Sequence, residues 1–146
     1  MSFDVAAEAY DAFMGRYSVP LAPQLADFAG VHNGQRALDV GCGPGALTAV
    51  LVGRLGAQSV VAVDPSEPFA AARARHPGVE VHRAAAEQLP FADDSSDVVL
   101  AQLVVHFMTD PVGGLGGRWG CSGPWRGSWT QGCTMNQGSP ARGRAT

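Results

Sequence analysis

The chain has 146 residues, 46% of them apolar, which suits one globular domain with a real core. No apolar run approaches the ~20 residues that a bilayer crossing needs, and no basic stretch leads into an apolar one near the start, so neither a membrane span nor a secretion signal is expected and the expected compartment is the cytoplasm. Charge is uneven: residues 1–110 carry 13 acids and 6 arginines, a net of −7, whereas 111–146 carry 4 arginines and no acid, a net of +4.

From Ala6, the residues Ala6, Ala9, Tyr10, Phe13, Met14 and Tyr17 recur at helical spacing and predict an amphipathic helix ending near Gly15. Pro20 is expected to open a second helix, with Leu21, Leu25, Phe28 and Ala29 on its apolar side, running to Gly30. Core packing is expected of Phe13 and Met14, while Tyr17 is divided between packing and a ligand contact. A polar turn then leads into a buried strand, Arg36 to Val40. Gly41, Gly43 and Gly45 follow, in a turn that feeds a helix from Ala46 to Leu55 whose N-terminal amides face it.

The spacing Gly-x-Gly-x-Gly differs from the Gly-x-Gly-x-x-Gly that hosts a dinucleotide pyrophosphate. Asp39, two residues before the first glycine, adds a second difference, because a carboxylate there repels a pyrophosphate and suits a cation. The β-branched run Ser59 to Val63 predicts a strand covered on both faces. It ends at Asp64, 19 residues past Gly45, where a doubly wound domain places an acceptor for a ribose diol. The competing role for Asp64 is a helix cap, since Asp-Pro-Ser-Glu is a good helix start. A helix over Pro68 to Arg75 and strands at Val79 to His82 and Asp97 to Ala101 complete the pattern.

Asp39 with the turn Gly41-Cys-Gly-Pro-Gly45 resembles motif I of the class I S-adenosylmethionine-dependent methyltransferases. Glu87-Gln-Leu-Pro-Phe91, followed by Asp97-Val-Val-Leu-Ala101, is similar to the passage from third to fourth strand in the methyltransferase type 11-like members. The resemblance covers about residues 4 to 111, within an expected domain of residues 1–111. It implies an α/β, Rossmann-like doubly wound sheet of four parallel strands with flanking helices, incomplete because the fifth to seventh strands are missing. It also implies S-adenosyl-L-methionine as cofactor, a small-molecule methyl acceptor and no metal. The cofactor contacts it implies are Tyr17, Asp39, Gly41, Cys42, Gly43, Asp64, Pro65, Ala86, Glu87 and Gln102. His106 is the candidate general base, because imidazole titrates near neutrality. Two positions depart from the family pattern: Ala85 stands where most members have an aspartate for the adenine amino group, and Ser96 where a phenylalanine is expected.

Beyond Pro111 the resemblance stops. Residues 112–146 hold ten glycines and all three tryptophans, with Val112, Leu115 and Met135 alone among Val, Ile, Leu, Met and Phe, and no period of 2 or 3.6 survives. An irregular tail is expected, and a shifted reading frame after Pro111 accounts for both the charge break and the lost pattern. Four arginines over that length are too sparse to predict a nucleic-acid partner. The cysteines Cys42, Cys121 and Cys133 are odd in number and widely spaced, which favours neither a disulfide frame nor a metal site. Two alternatives to an active methyltransferase follow: an inactive remnant of one, and an NAD(P)-binding oxidoreductase. The sequence carries no signal of oligomeric state.

Overall fold

The computed structural model describes residues 7–66, 69–92, 95–104, 109–110 and 132–136. In chain order the elements are α1 (Ala7–Phe28), β1 (Ala37–Val40), α2 (Ala46–Leu55), β2 (Val60–Asp64), α3 (Phe69–Arg75), β3 (Glu80–Arg83), β4 (Val98–Gln102) and β5 (Gly132–Asn136). They form one sheet in the order β3-β2-β1-β4-β5. The four strands β3, β2, β1 and β4 are parallel, with Val40 opposite both Val63 and Ala101. The reversal of strand order between β1 and β4 opens a crevice at their carboxyl ends, where α/β domains of this kind bind ligands.

Alternate residues of the central strands enter two apolar layers, because side chains of a strand point to opposite faces. On one face Ala37, Val60, Ala62, Val98 and Leu100 pack with Leu47, Leu51 and Leu55 of α2 and with Ala22, Leu25 and Ala26 of α1. On the other, Leu38, Val40, Val63, Val99 and Ala101 are covered by Ala86, Leu89, Phe91 and Val104. At the amino ends of β1 and β4, the Asp97 carboxylate accepts the Arg36 amide at 2.7 Å and the Arg36 side chain at 3.4 Å, while the Asp97 amide donates back to the Arg36 carbonyl at 2.8 Å. Those bonds hold the Asp97 carboxyl below the ordinary carboxylate range. Arg54 ties α2 to α1, pairing with Asp27 at 2.7 Å and donating to the Pro23 carbonyl at 3.2 Å.

Three expectations are corrected. The N-terminal segment is a single helix, with Pro20 and Pro23 inside it, and not two helices broken at Pro20. The prolines remove the donors to the carbonyls of Arg16 and Val19, and both of those residues are exposed, so water can replace the lost bonds. Burial of Ala22, Leu25 and Ala26 carries the helix through. Phe13, expected in the core, is 63% exposed, and its ring lies edge-on to that of Tyr17 with centroids 6.4 Å apart.

The stretch after Pro111, expected to lack strands, contributes β5, antiparallel to β4 with Gln102 opposite Gly132 and Val98 opposite Asn136. Main-chain pairing needs no side-chain period, and the outer edge of β4 offers a row of amides and carbonyls to any extended segment without proline. The sheet therefore has four parallel strands and one antiparallel strand.

If α1 is continuous, replacing Pro23 by alanine restores a helical donor without removing the Pro23 carbonyl that Arg54 uses. Pro23→Ala is expected to raise stability by roughly 1–3 kcal/mol in urea denaturation. A loss of stability would favour two helices that need a proline at the break.

Candidate functional site

The glycine turn sits where β1 ends, and each glycine answers a different constraint. Gly41, Gly43 and Gly45 all have positive φ, at 71°, 50° and 98°. A Cβ on Gly41 would lie 2.5 Å from a Val104 methyl, and one on Gly45 would lie 2.9 Å from the His76 ring. A Cβ on Gly43 would meet nothing within 4 Å. Gly41 and Gly45 are therefore set by protein packing, and Gly43 alone faces open space. The amides of Gly41 and Cys42 both donate to the Val63 carbonyl, at 2.8 and 2.9 Å, which fastens the turn to the end of β2. The Cys42 side chain is buried, and burial pushes its thiol well above the ordinary value. Any ligand contact by Cys42 is thus made by its backbone.

Two carboxylates flank the turn. Asp39 is 1% exposed, and its Oδ2 accepts the Thr48 hydroxyl at 2.6 Å in the first turn of α2. Desolvation outweighs that bond and raises its carboxyl from 3.8 to about 7, with the neighbouring charge of Asp64 adding to the rise. Asp64, also buried, accepts the Gly43 amide on Oδ2 at 2.8 Å and the Ser66 amide on Oδ1 at 2.8 Å, and the Ser66 hydroxyl bonds to the same Oδ1. It thereby fixes the open glycine and turns the chain after β2. Each carboxylate oxygen has about two acceptor directions, so Oδ2 keeps capacity for one more donor. No ion pair among the described residues neutralises either acid.

At the end of β4, Gln102 is buried and donates from Nε2 to the Ser18 carbonyl of α1 at 2.9 Å, whereas its Oε1 is buried with no partner among the described residues. Leu103 then takes φ 56°, a left-handed conformation that costs a leucine on the order of 1 kcal/mol or more. This bend puts Val104 against Gly41 while Leu103 lines a cavity of about 410 Å³ with α1 residues that include Tyr17 and Arg16. Neither acid lines that cavity, which lies beside the glycine turn and not in it.

On the far side, Pro65 is exposed and its carbonyl accepts Arg83 Nε at 3.1 Å. Ala86 is buried, and the Glu87 carboxylate accepts the amides of Thr109 and Asp110 at 3.0 and 3.4 Å, joining the loop after β3 to the chain beyond β4. The structure therefore gathers Asp39, Gly41, Cys42, Gly43 and Asp64 at one turn, links Gln102 to α1 next to Tyr17, and sets Ala86 and Glu87 in the loop after β3. His106 lies outside the described residues.

Thr48, Ser66, His76 and Val104 were not singled out in the sequence. Thr48 had a visible signal, a hydroxyl on the face of an otherwise apolar helix, and Ser66 had one in Asp-Pro-Ser, a favourable side-chain turn. His76 and Val104 had none, since their contacts with Gly45 and Gly41 arise only in three dimensions.

The family described as "Methyltransferase domain" matches residues 38–116. Aklanonic acid methyltransferase DauC of Streptomyces sp. (strain C5) is 29% identical over 121 residues, covering 78% of this chain and 55% of that protein. Malonyl-[acyl-carrier protein] O-methyltransferase of Erwinia billingiae is 33% identical over 110 residues, covering 75% of this chain and 43% of that one. The chain thus spans about half the length of these two relatives. Among solved structures, a SAM dependent methyltransferase from Aquifex aeolicus superposes with a TM-score of 0.61 at 21% identity, covering 75% of this chain and 62% of that chain, which shows the shared fold.

The buried Asp39 gives the fold a pH signature. A carboxyl raised from 3.8 to about 7 binds a proton on folding anywhere between those values, so stability falls as pH rises through that window and the loss is complete above about 7. Asparagine removes the titration and keeps an oxygen for Thr48. Asp39→Asn is expected to melt at least ~3 °C above the parent at pH 8, about 1 kcal/mol, with the gap closing near pH 5. A variant that melts lower at pH 8 would contradict the cost assigned to this carboxylate.

Proposed function

The chain belongs to the methyltransferase-domain family, and from that premise we propose that it binds S-adenosyl-L-methionine at the glycine turn and takes part in methyl transfer to a small molecule. The observation that carries this reading is a buried Asp39 carboxylate with no ion-pair partner among the described residues, next to a glycine that faces open space. A cationic cofactor relieves that burial, whereas a pyrophosphate adds negative charge beside both Asp39 and Asp64. The orphan acceptor Gln102 Oε1 also suits a ligand that carries donors. The two curated relatives, named for an acid and for a malonyl group on a carrier protein, support an acceptor that is a small molecule or carries a small acyl group.

When bound, this cofactor supplies a methyl carbon activated by a sulfonium. The protein's part is to hold it in line with the acceptor and to keep water away. In this reading Asp39 and the backbone of Gly41, Cys42 and Gly43 hold the methionine end. Asp64 accepts from the ribose with its spare acceptor direction, beside Pro65. Ala86 and Glu87 border the adenine, and Gln102 orients the cofactor from the end of β4. Tyr17 and its helix would cover the cofactor and keep water from it. His106 is the base for an acceptor that has to lose a proton. Ala85 lacks the carboxylate that would accept from the adenine amino group, which weakens binding by roughly ten- to a hundredfold, the worth of one charge-assisted bond.

Calorimetry on the full chain tests this. S-adenosylhomocysteine is expected to bind with a Kd of roughly 10–100 µM, NAD is expected not to bind, and Gly43→Ala is expected to weaken S-adenosylhomocysteine at least ~tenfold by filling the open side of the turn. Binding of NAD without S-adenosylhomocysteine would overturn the reading in favour of an oxidoreductase.

A further inference from the structure

Helix α2 starts without a cap of its own. Its N-cap residue is Gly45, which has no side chain to offer the free amides of the first turn. The Asp39 carboxylate supplies that acceptor from β1. Thr48, the third residue of α2 and 0% exposed, gives Asp39 two donors: its hydroxyl, at 2.6 Å from Oδ2, and its main-chain amide. The amide would be present whatever residue stood at this position, but the hydroxyl would not. An apolar side chain suits the surroundings, since Leu47 and Leu51 of the same helix are buried in the core, so the hydroxyl is the feature that needs a reason.

That reason lies in the charge of the acid. Desolvation is the largest influence on Asp39 and disfavours ionisation; the Thr48 hydroxyl comes next and favours it, the Asp64 charge opposes it, and the Thr48 amide favours it again. Every element around the carboxylate has a part. Asp64 at the end of β2 and the Cys42 thiol in the turn are the titratable groups coupled to it. The register neighbours Ala62 of β2 and Leu100 of β4 are apolar, α1 covers the same face of the sheet with Ala22, Leu25 and Ala26, and α3 sets the His76 ring against Gly45. Among the described residues, Thr48 therefore supplies the donors that keep Asp39 negative. A hydroxyl can also accept from a protonated carboxyl, so the bond holds the side chain in either state, yet it is stronger to the ionised one.

We propose that Thr48 is a positioning residue for cofactor binding that acts through Asp39, fastening the carboxylate to the start of α2 and stabilising its negative charge toward a cationic ligand at the turn. This assignment rests on the methyltransferase reading above. Thr48 itself is fully buried and spends its hydroxyl on Asp39, so it acts without touching the ligand. A cationic ligand binds the ionised acid, and its apparent affinity scales with the fraction of chains in which Asp39 is ionised. Loss of the hydroxyl thus costs affinity most in acid solution and least where alkaline solution ionises Asp39 anyway. A residue that only supported the fold would cost the same at either pH.

Two measurements on the full chain test this: the Asp39 carboxyl midpoint by carbon-13 NMR without ligand, and the S-adenosylhomocysteine Kd by calorimetry at pH 6.5 and 8.5. Thr48→Val, which replaces the hydroxyl by a methyl of similar size, is expected to raise the midpoint from about 7 to about 8. Its Kd is then expected to exceed the parent's about eightfold at pH 6.5 and to lie within about twofold of it at pH 8.5. The ligand's amine and His76 titrate alike in parent and variant, so the ratio isolates Asp39. Thr48→Ser, which keeps the hydroxyl, is expected to stay within about twofold of the parent at both pH values, and Thr48→Ala to move the midpoint in the same direction as valine without adding a methyl. An unchanged midpoint in both Thr48→Val and Thr48→Ala, a Kd ratio for Thr48→Val that is the same at the two pH values, or a serine variant as weak as the valine one would overturn the proposal. If S-adenosylhomocysteine fails to bind the parent chain, the methyltransferase reading fails, and the midpoints, which need no ligand, still decide whether Thr48 holds the charge of Asp39.

Discussion

Burying the Asp39 carboxylate between β1 and the first turn of α2 leaves it with one hydroxyl, that of Thr48, as its side-chain partner and no cation beside it among the described residues. That constraint orders the surrounding structure. The turn that follows hangs two successive amides on the Val63 carbonyl and a third, that of Gly43, on Asp64. Desolvation raises the acid itself to about 7. A fold selected for stability alone would place an apolar residue at this β1 position, as it does at Leu38 and Val40 on either side. On the proposed reading, a positively charged ligand offsets that cost.

The end of β4 carries a second constraint. Gln102, Leu103 and Val104 each serve a different neighbour: α1, the cavity and the glycine turn. The left-handed backbone at Leu103 is what allows three consecutive residues to reach three places. Strain of this kind persists where surrounding contacts over-determine the conformation, and such positions cluster at ligand sites.

Much of this was legible in the sequence because it is local. The apolar run ending in Asp39, Val40 and Gly41 specifies a buried strand and a tight turn, and the β-branched run ending in Asp64 specifies its neighbour. The parallel order follows from the alternation of strands and helices. The fate of Asp64 was half legible: its Oδ1 takes the Ser66 amide, a local bond of the kind the helix-cap reading expects, while its Oδ2 takes the Gly43 amide across the turn, a contact that no local pattern announces. The continuous α1 was not legible, because Pro20 and Pro23 are locally strong breakers and only the tertiary burial of Ala22 and Ala26 outweighs them. The exposure of Phe13 was hidden for the converse reason, since an amphipathic period shows that a face exists but not whether the domain covers all of it. The strand β5 has no side-chain period to detect, because the edge of β4 recruits it through main-chain bonds.

The central claim is that Asp39 is held in an uncomfortable charge state that a cationic cofactor relieves. A carbon-13 NMR titration of the aspartate side-chain carboxyls, with and without saturating S-adenosyl-L-methionine and with Asp39→Asn for assignment, measures it directly. The account predicts a midpoint for Asp39 near 7 in the free chain, falling by at least about one unit when the cofactor is bound, because a nearby positive charge favours the ionised form. A midpoint near the ordinary carboxylate value in the free chain, or one that the cofactor leaves in place, would contradict it.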